Sequence, residues 1–203
     1  RPGAIESDRV VGPRPEKKYA TPDQLDWDLW LGTAPVRPYA PEIYHPSKWR
    51  AWLDFGTGWS GDIGCHVFDA TWKALDLTAP KAIHARVQES WKNSKPRRGD
   101  TWPQSDHITW TFPGNSLTEK DEITIEWFDG LFYPPEEAQK WYHGDKYPPE
   151  SALIVGTEGA VLIPNGGGAM LLPRDKYKGT VKPDLDPRNH YHHFLDAILG
   201  KTK

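Results

Sequence analysis

Apolar and polar positions along the chain follow two different rhythms. From 62 to 77 the apolar residues recur at helical spacing, preceded by Gly56-Thr57-Gly58 and Ser60-Gly61 and stopped before Pro80, and the pattern predicts the main helix of the molecule. Downstream the rhythm becomes alternation. The segments 83–91, 107–112 and 123–128 alternate apolar with polar residues, as strands do when one face is packed and the other is wet, and Pro113-Gly114-Asn115 supplies a turn between two of them. Leu153-Ile154-Val155 and Val161-Leu162-Ile163, joined across Gly156-Thr157-Glu158-Gly159, predict a hairpin, and a last helix is expected over 190–199.

Ahead of the main helix the pattern is broken by proline. Residues 1–24, with Pro13, Pro15 and Pro22 and many charges, predict an extended arm that lies on another surface. Residues 25–32 predict a short helix stopped by Gly32. Pro35, Pro38, Pro41 and Pro46 then hold an irregular stretch whose density of Tyr39, Tyr44, His45, Trp49 and Trp52 argues for an ordered one. An irregular start, a helix, a run of strands and a final helix predict an α+β fold with an antiparallel sheet, and 203 residues suit one domain over 1–203.

Composition narrows the partners. A formal net charge of -3 gives no electrostatic footprint for nucleic acid or an anionic membrane surface, and no apolar run approaches the length of a spanning helix. The single cysteine, Cys65, excludes an internal disulfide framework and a cysteine-rich zinc site. Eleven tryptophans suit stacking on sugar rings, although most tryptophans serve cores. The compartment, cytoplasmic or periplasmic, is not encoded.

Chemistry is concentrated on the main helix. Asp62, His66, Asp69 and Lys73 follow at i, i+4, i+7 and i+11 and share one polar stripe between two apolar flanks, so the stripe is expected to face a crevice. A histidine with a carboxylate one turn earlier can be oriented by it and can exchange a proton near neutral pH; a plain helix pair, or a satisfied core histidine, has the same spacing. Lys48 and Arg50, beside Trp49, are donors that suit hydroxyls or a carboxylate, or simply solvent. His190, His192 and His193 with Asp62 and His66 would offer metal ligands in number, although adjacent histidines cannot all face one point. There is no G-x-G-x-x-G after a strand, no phosphate-binding P-loop and no G-x-S-x-G elbow.

The run from Gly56 through Asp62, Gly64 and His66 to Asp69 resembles the G-x-G-x-x-x-D-x-G-x-H-x-x-D signature of the Gfo/Idh/MocA oxidoreductases. Leu25-Asp26-Trp27-Asp28-Leu29-Trp30-Leu31-Gly32, Tyr44-His45-Pro46, Lys48-Trp49-Arg50 and His192-His193-Phe194-Leu195-Asp196-Ala197 look like a bacterial branch of that family. The resemblance implies a C-terminal domain built on a large, mainly antiparallel sheet with helices on one face, self-associating through that sheet, and a fragment of a longer protein whose Rossmann domain holds NAD or NADP. It implies His66 as general base and Asp62 as its orienting or substrate-binding partner, with Tyr44, His45, Lys48, Trp49, Arg50 and Asp69 toward a sugar, cyclitol or polyol. The chain alone is expected to be inactive and to hold no cofactor. A glycosidase working through a 3-keto sugar, or a stand-alone carbohydrate-binding or interaction module, are the alternatives.

Overall fold

The computed structural model describes residues 12–44, 48–142, 148, 150–181, 183 and 189–202. Its main helix, α2, occupies Gly58–Ala74 and so begins one turn before the predicted start. The glycines that read as a loop form its first turn because tertiary packing overrides their low helix propensity. Gly58 has φ +73°, and a Cβ there would stand 3.0 Å from Trp102, so backbone and neighbour both exclude a side chain. At the other end, Asn115 Nδ2 donates to the carbonyls of Leu75 (2.8 Å) and Asp76 (3.3 Å), satisfying groups the helix leaves open.

That asparagine belongs to the turn of a three-stranded antiparallel sheet, β1 (Ala82–Val87), β2 (Asp106–Pro113) and β3 (Glu122–Phe128), in the order β1-β2-β3. Ile83 pairs with Trp110 and Trp110 with Ile125, so the alternation read from the sequence places these residues on one face. Helix α2 lies on this face: Phe68 stacks on Trp110 with centroids 5.7 Å apart, and Trp72 meets Phe112 edge-on at 5.6 Å. A second antiparallel sheet, β4 (Ser151–Val155), β5 (Ala160–Pro164) and β6 (Met170–Leu172), is built on the predicted hairpin. Ala160, Leu162 and Leu172 form its core, with Trp141, Leu153 and Met170 against them.

The α+β class with antiparallel pairing therefore holds, but the large sheet implied by the resemblance is two small ones. Among the described residues β3 and β4 each pair on one edge only, and a groove floored by α2 lies between them. The predicted strand over 83–91 is also shorter. It ends at Val87 because Gln88 is buried and the chain turns into α3 (Glu89–Lys92), from which Trp91 Nε1 donates to the Thr101 carbonyl at 2.9 Å. Next comes α4 (Lys95–Asp100), capped by Ser94. The short α5 (Glu136–Gln139), like β6, lies in segments without a clear period.

The tryptophan- and proline-rich segment makes a second core. Helix α1 (Trp27–Leu31), capped by the Asp26 carboxylate, stacks Trp27 on Trp30 at 4.8 Å, and Tyr44 meets Trp52 and Phe55 edge-on at 5.2 and 5.4 Å. Trp52 is completely buried and donates Nε1 to the Ile43 carbonyl. The described part of the arm, from residue 12 on, is anchored here on its own chain and not on another surface as expected. Arg14 lies 5.0 Å over the Trp52 ring, pairs with Asp54 at 2.5 Å and with Asp100, and Arg37 reaches Asp54 at 2.9 Å. That bond to Asp54 holds the Arg37 guanidinium above its ordinary pKa. The final helix, α6 (His190–Ile198), is capped by Asn189, and its apolar residues Tyr191, Phe194, Leu195 and Ile198 are exposed.

Candidate functional site

Lys48, Trp49 and Arg50 form a 3₁₀ turn (Lys48–Ala51) packed against the start of α2. The Arg50 guanidinium rests 4.4 Å over the Trp49 ring, and its Nε donates to the Asp62 carboxylate at 2.5 Å. Gly56 makes this approach possible, since a Cβ there would come 2.5 Å from the Arg50 carbonyl oxygen. Trp102 holds the same loop from the far side, with Nε1 donating to the Gly56 carbonyl (2.7 Å) and its N–H to that of Ala51 (2.8 Å).

One turn beyond Asp62, His66 is exposed, and its side chain makes no hydrogen bond, ion pair or ring contact with another described residue. Asp62 is thus engaged by Arg50 and not by His66. Asp69 pairs with Lys73 at 3.0 Å, both largely exposed. The stripe does not face a crevice, as its two apolar flanks had suggested, because α2 packs mainly through one side. Gly64, Val67, Phe68, Thr71 and Leu75 line an apolar groove of about 590 Å³ against β3 and β4, on the side of the helix opposite His66. The spacing of those five positions is itself helical, so the packed side was available in the sequence as a period but not as a choice between flanks.

The remaining expected residues divide. Lys48 is exposed beside the turn and Trp49 has one face covered by Arg50. Tyr44 is a correction: only 2% exposed inside the aromatic core, it is closed to a substrate. Burial, partly offset by Arg14, pushes its phenol above the ordinary value. His45 lies outside the described residues. The histidines of α6 do not form a metal set, since among the described residues no three of His, Cys, Asp and Glu come together as one.

A polar layer that the sequence did not single out supports the loop from behind. Arg97, 8% exposed, donates to Gln104 and to Ser90 Oγ, and Asp129, fully buried, accepts the Asp106 N–H at 2.7 Å and Trp127 Nε1 at 3.0 Å. These contacts fix 97–106, which runs alongside Trp52 through its bridge to Thr101. None of these residues follows a recognisable motif, and only burial reveals them.

The arrangement is one exposed imidazole above a clamped carboxylate, on a helix held by a sheet. A model of the oxidoreductase family described as its C-terminal alpha/beta domain matches residues 7–111, more than half of the chain. The chain belongs to the Gfo/Idh/MocA oxidoreductase family. The match covers the arm, the aromatic core, the 3₁₀ turn, α2, β1 and most of β2, and so contains every residue of the stripe. No curated protein matches the chain.

A nicotinamide dinucleotide, implied by the family, does not fit the described residues of this domain. Every strand pairing is antiparallel, Gly166, Gly167 and Gly168 turn between β5 and β6, and the space at Gly56 and Gly58 is filled by Arg50 and Trp102. No strand here feeds a glycine turn at a helix N-terminus, the feature that cradles a pyrophosphate. No helix among the described residues is long and apolar enough to cross a membrane.

Proposed function

We propose that this domain binds the substrate and supplies the proton-transfer group of an NAD- or NADP-dependent oxidoreductase acting on a hydroxyl of a sugar, cyclitol or polyol. His66 carries the reading. Its side chain is exposed on the main helix and has no partner among the described residues, and an imidazole is the side chain best suited to take the proton of a hydroxyl and return it. Packing of α2 through Phe68 and Leu75 turns His66 outward, to where a second domain holding the nucleotide would close over it. The Arg50–Asp62 pair precedes His66 by one turn of the helix, and Lys48 and Asp69 add exposed polar groups to the same surface.

Self-association through the first sheet is part of the same reading. Ala82, Ile83, His84, Ala85 and Arg86 of the edge strand β1 are all exposed, Ile83 by 62%.

The test is kinetic, on the protein that carries both domains. His66→Asn removes the base with a modest change of volume, so substrate affinity should change little while turnover at saturating substrate falls by roughly 10²- to 10⁴-fold. Because His66 is exposed, the melting temperature should stay within about 2 °C of wild type. A stable His66→Asn enzyme with full turnover refutes the assignment.

A further inference from the structure

We propose that Arg50 is a positioning residue that withholds the Asp62 carboxylate from His66, leaving the catalytic imidazole without a partner on its own helix. The spacing of Asp62 and His66 favours a carboxylate-histidine pair, and on an isolated helix the two side chains would stack one above the other. The structure shows a competition that the guanidinium wins. Its Nε, from the turn that precedes α2, reaches Asp62 at 2.5 Å, while no hydrogen bond or ion pair joins the Asp62 and His66 side chains.

Three features make that outcome part of the fold. The guanidinium carbon stands 4.4 Å over the Trp49 ring centroid, a cation–π contact that restrains it where it meets Asp62. The backbone of Arg50 is pressed against Gly56, where any Cβ would clash, and Gly56 is held in turn by Trp102. The pair is also sheltered, with side-chain exposures of 35% for Arg50 and 24% for Asp62, whereas His66 is exposed. The guanidinium brings a permanent positive charge and a planar donor edge to Asp62, an ion-pair attraction that a neutral imidazole N–H lacks, and this favours Arg50 as the partner.

The other charged groups around His66 do not take the place of Asp62. On its own stripe Asp69 is occupied by Lys73 at 3.0 Å. Glu126 and Glu150, from β3 and from beside β4, line the groove on the opposite side of the helix. Among the described residues no acid holds the His66 ring, which leaves its orientation to substrate or to a facing domain.

The inference rests on the reading of His66 as the base, but its test reads ring chemistry and not turnover. Nitrogen-15 NMR of the imidazoles in this chain, at a pH where they are neutral, reports the balance of the two ring tautomers, and the His66→Asn spectrum identifies the His66 signals. Wild type should show the mixed tautomers of a solvated histidine. Arg50→Met frees Asp62 and should shift the His66 balance by roughly two-fold or more toward the tautomer whose N–H faces Asp62. The double variant Arg50→Met, Asp62→Asn should return to the mixed state, and Arg50→Lys should fall between. Asp62→Asn alone, which needs no loss of Arg50, should leave the balance unchanged.

A folded Arg50→Met chain with an unshifted His66, or a wild-type tautomer preference that Asp62→Asn abolishes, overturns the proposal. A fully active His66→Asn enzyme would instead end the catalytic reading and leave this result standing.

Discussion

Phe68 stacks on Trp110 with ring centroids 5.7 Å apart and planes 21° from parallel, and this contact decides the direction of His66. His66 and Phe68 lie two positions apart on one helix and so point to nearly opposite sides of it. Anchoring one in the sheet turns the other to solvent. Phe68→Ala should destabilise the chain by about 3 kcal/mol, at the low end for loss of a large ring because Phe68 is only half-buried. Phe68→Leu should cost about 1 kcal/mol. Urea unfolding followed by tryptophan fluorescence measures both, and near-equal midpoints for wild type and Phe68→Ala would show that α2 is held by other contacts.

Asp54 carries two arginines, Arg14 from the arm and Arg37 from the proline-rich segment, with side-chain exposures of 12% for Asp54 and Arg14. Asp54→Asn leaves two guanidinium groups without their main partner. The expected cost is about 2 kcal/mol, below the figure for fully buried pairs because Arg37 is 35% exposed. Arg14 still has Asp100, so the arm should loosen without leaving. Faster trypsin cleavage after Lys17 and Lys18 of the loosened arm, with a lower urea midpoint, is the expected pair of results.

The phenol of Tyr44 titrates above its ordinary value of 10 because burial disfavours the phenolate. The folded state then holds a proton that the unfolded state releases, so this contribution to stability is complete below about pH 10 and is lost as pH rises through the raised folded value. Tyr44→Phe should cost about 1 kcal/mol at pH 7 through the lost hydroxyl bond to Arg14. It should also flatten the fall in stability on the alkaline side. Urea midpoints from about pH 8 to 11 for both proteins show whether the curves converge.

If β1 is the edge through which copies associate, Ile83→Lys should abolish association, since it sets like charges against each other across the contact. Multi-angle light scattering of the two-domain protein should give a mass above the monomer for wild type and a monomer for the variant. An unchanged assembly would place the contact elsewhere.

The sequence by itself determined the parts whose signal is local. Alternation over 83–91, 107–112 and 123–128 defined the strands, the apolar repeat over 62–77 defined the helix, and the order of Gly56, Asp62, His66 and Asp69 pointed to the family. What the tertiary structure decided were choices between local equals. Two apolar flanks had the same period, and only the meeting of Phe68 with Trp110 shows which is packed and hence that the stripe faces outward. Tyr44 and Trp49 stand five residues apart among similar neighbours, yet one is sealed in the core and the other lies under Arg50 at the site. Asp62 had a partner at regular helical spacing in His66 and took another, twelve residues back, because a guanidinium preset by Trp49 and Gly56 outcompetes a neutral ring. Spacing along a chain fixes which residues can meet; competition among all the groups that arrive at one place fixes which of them do.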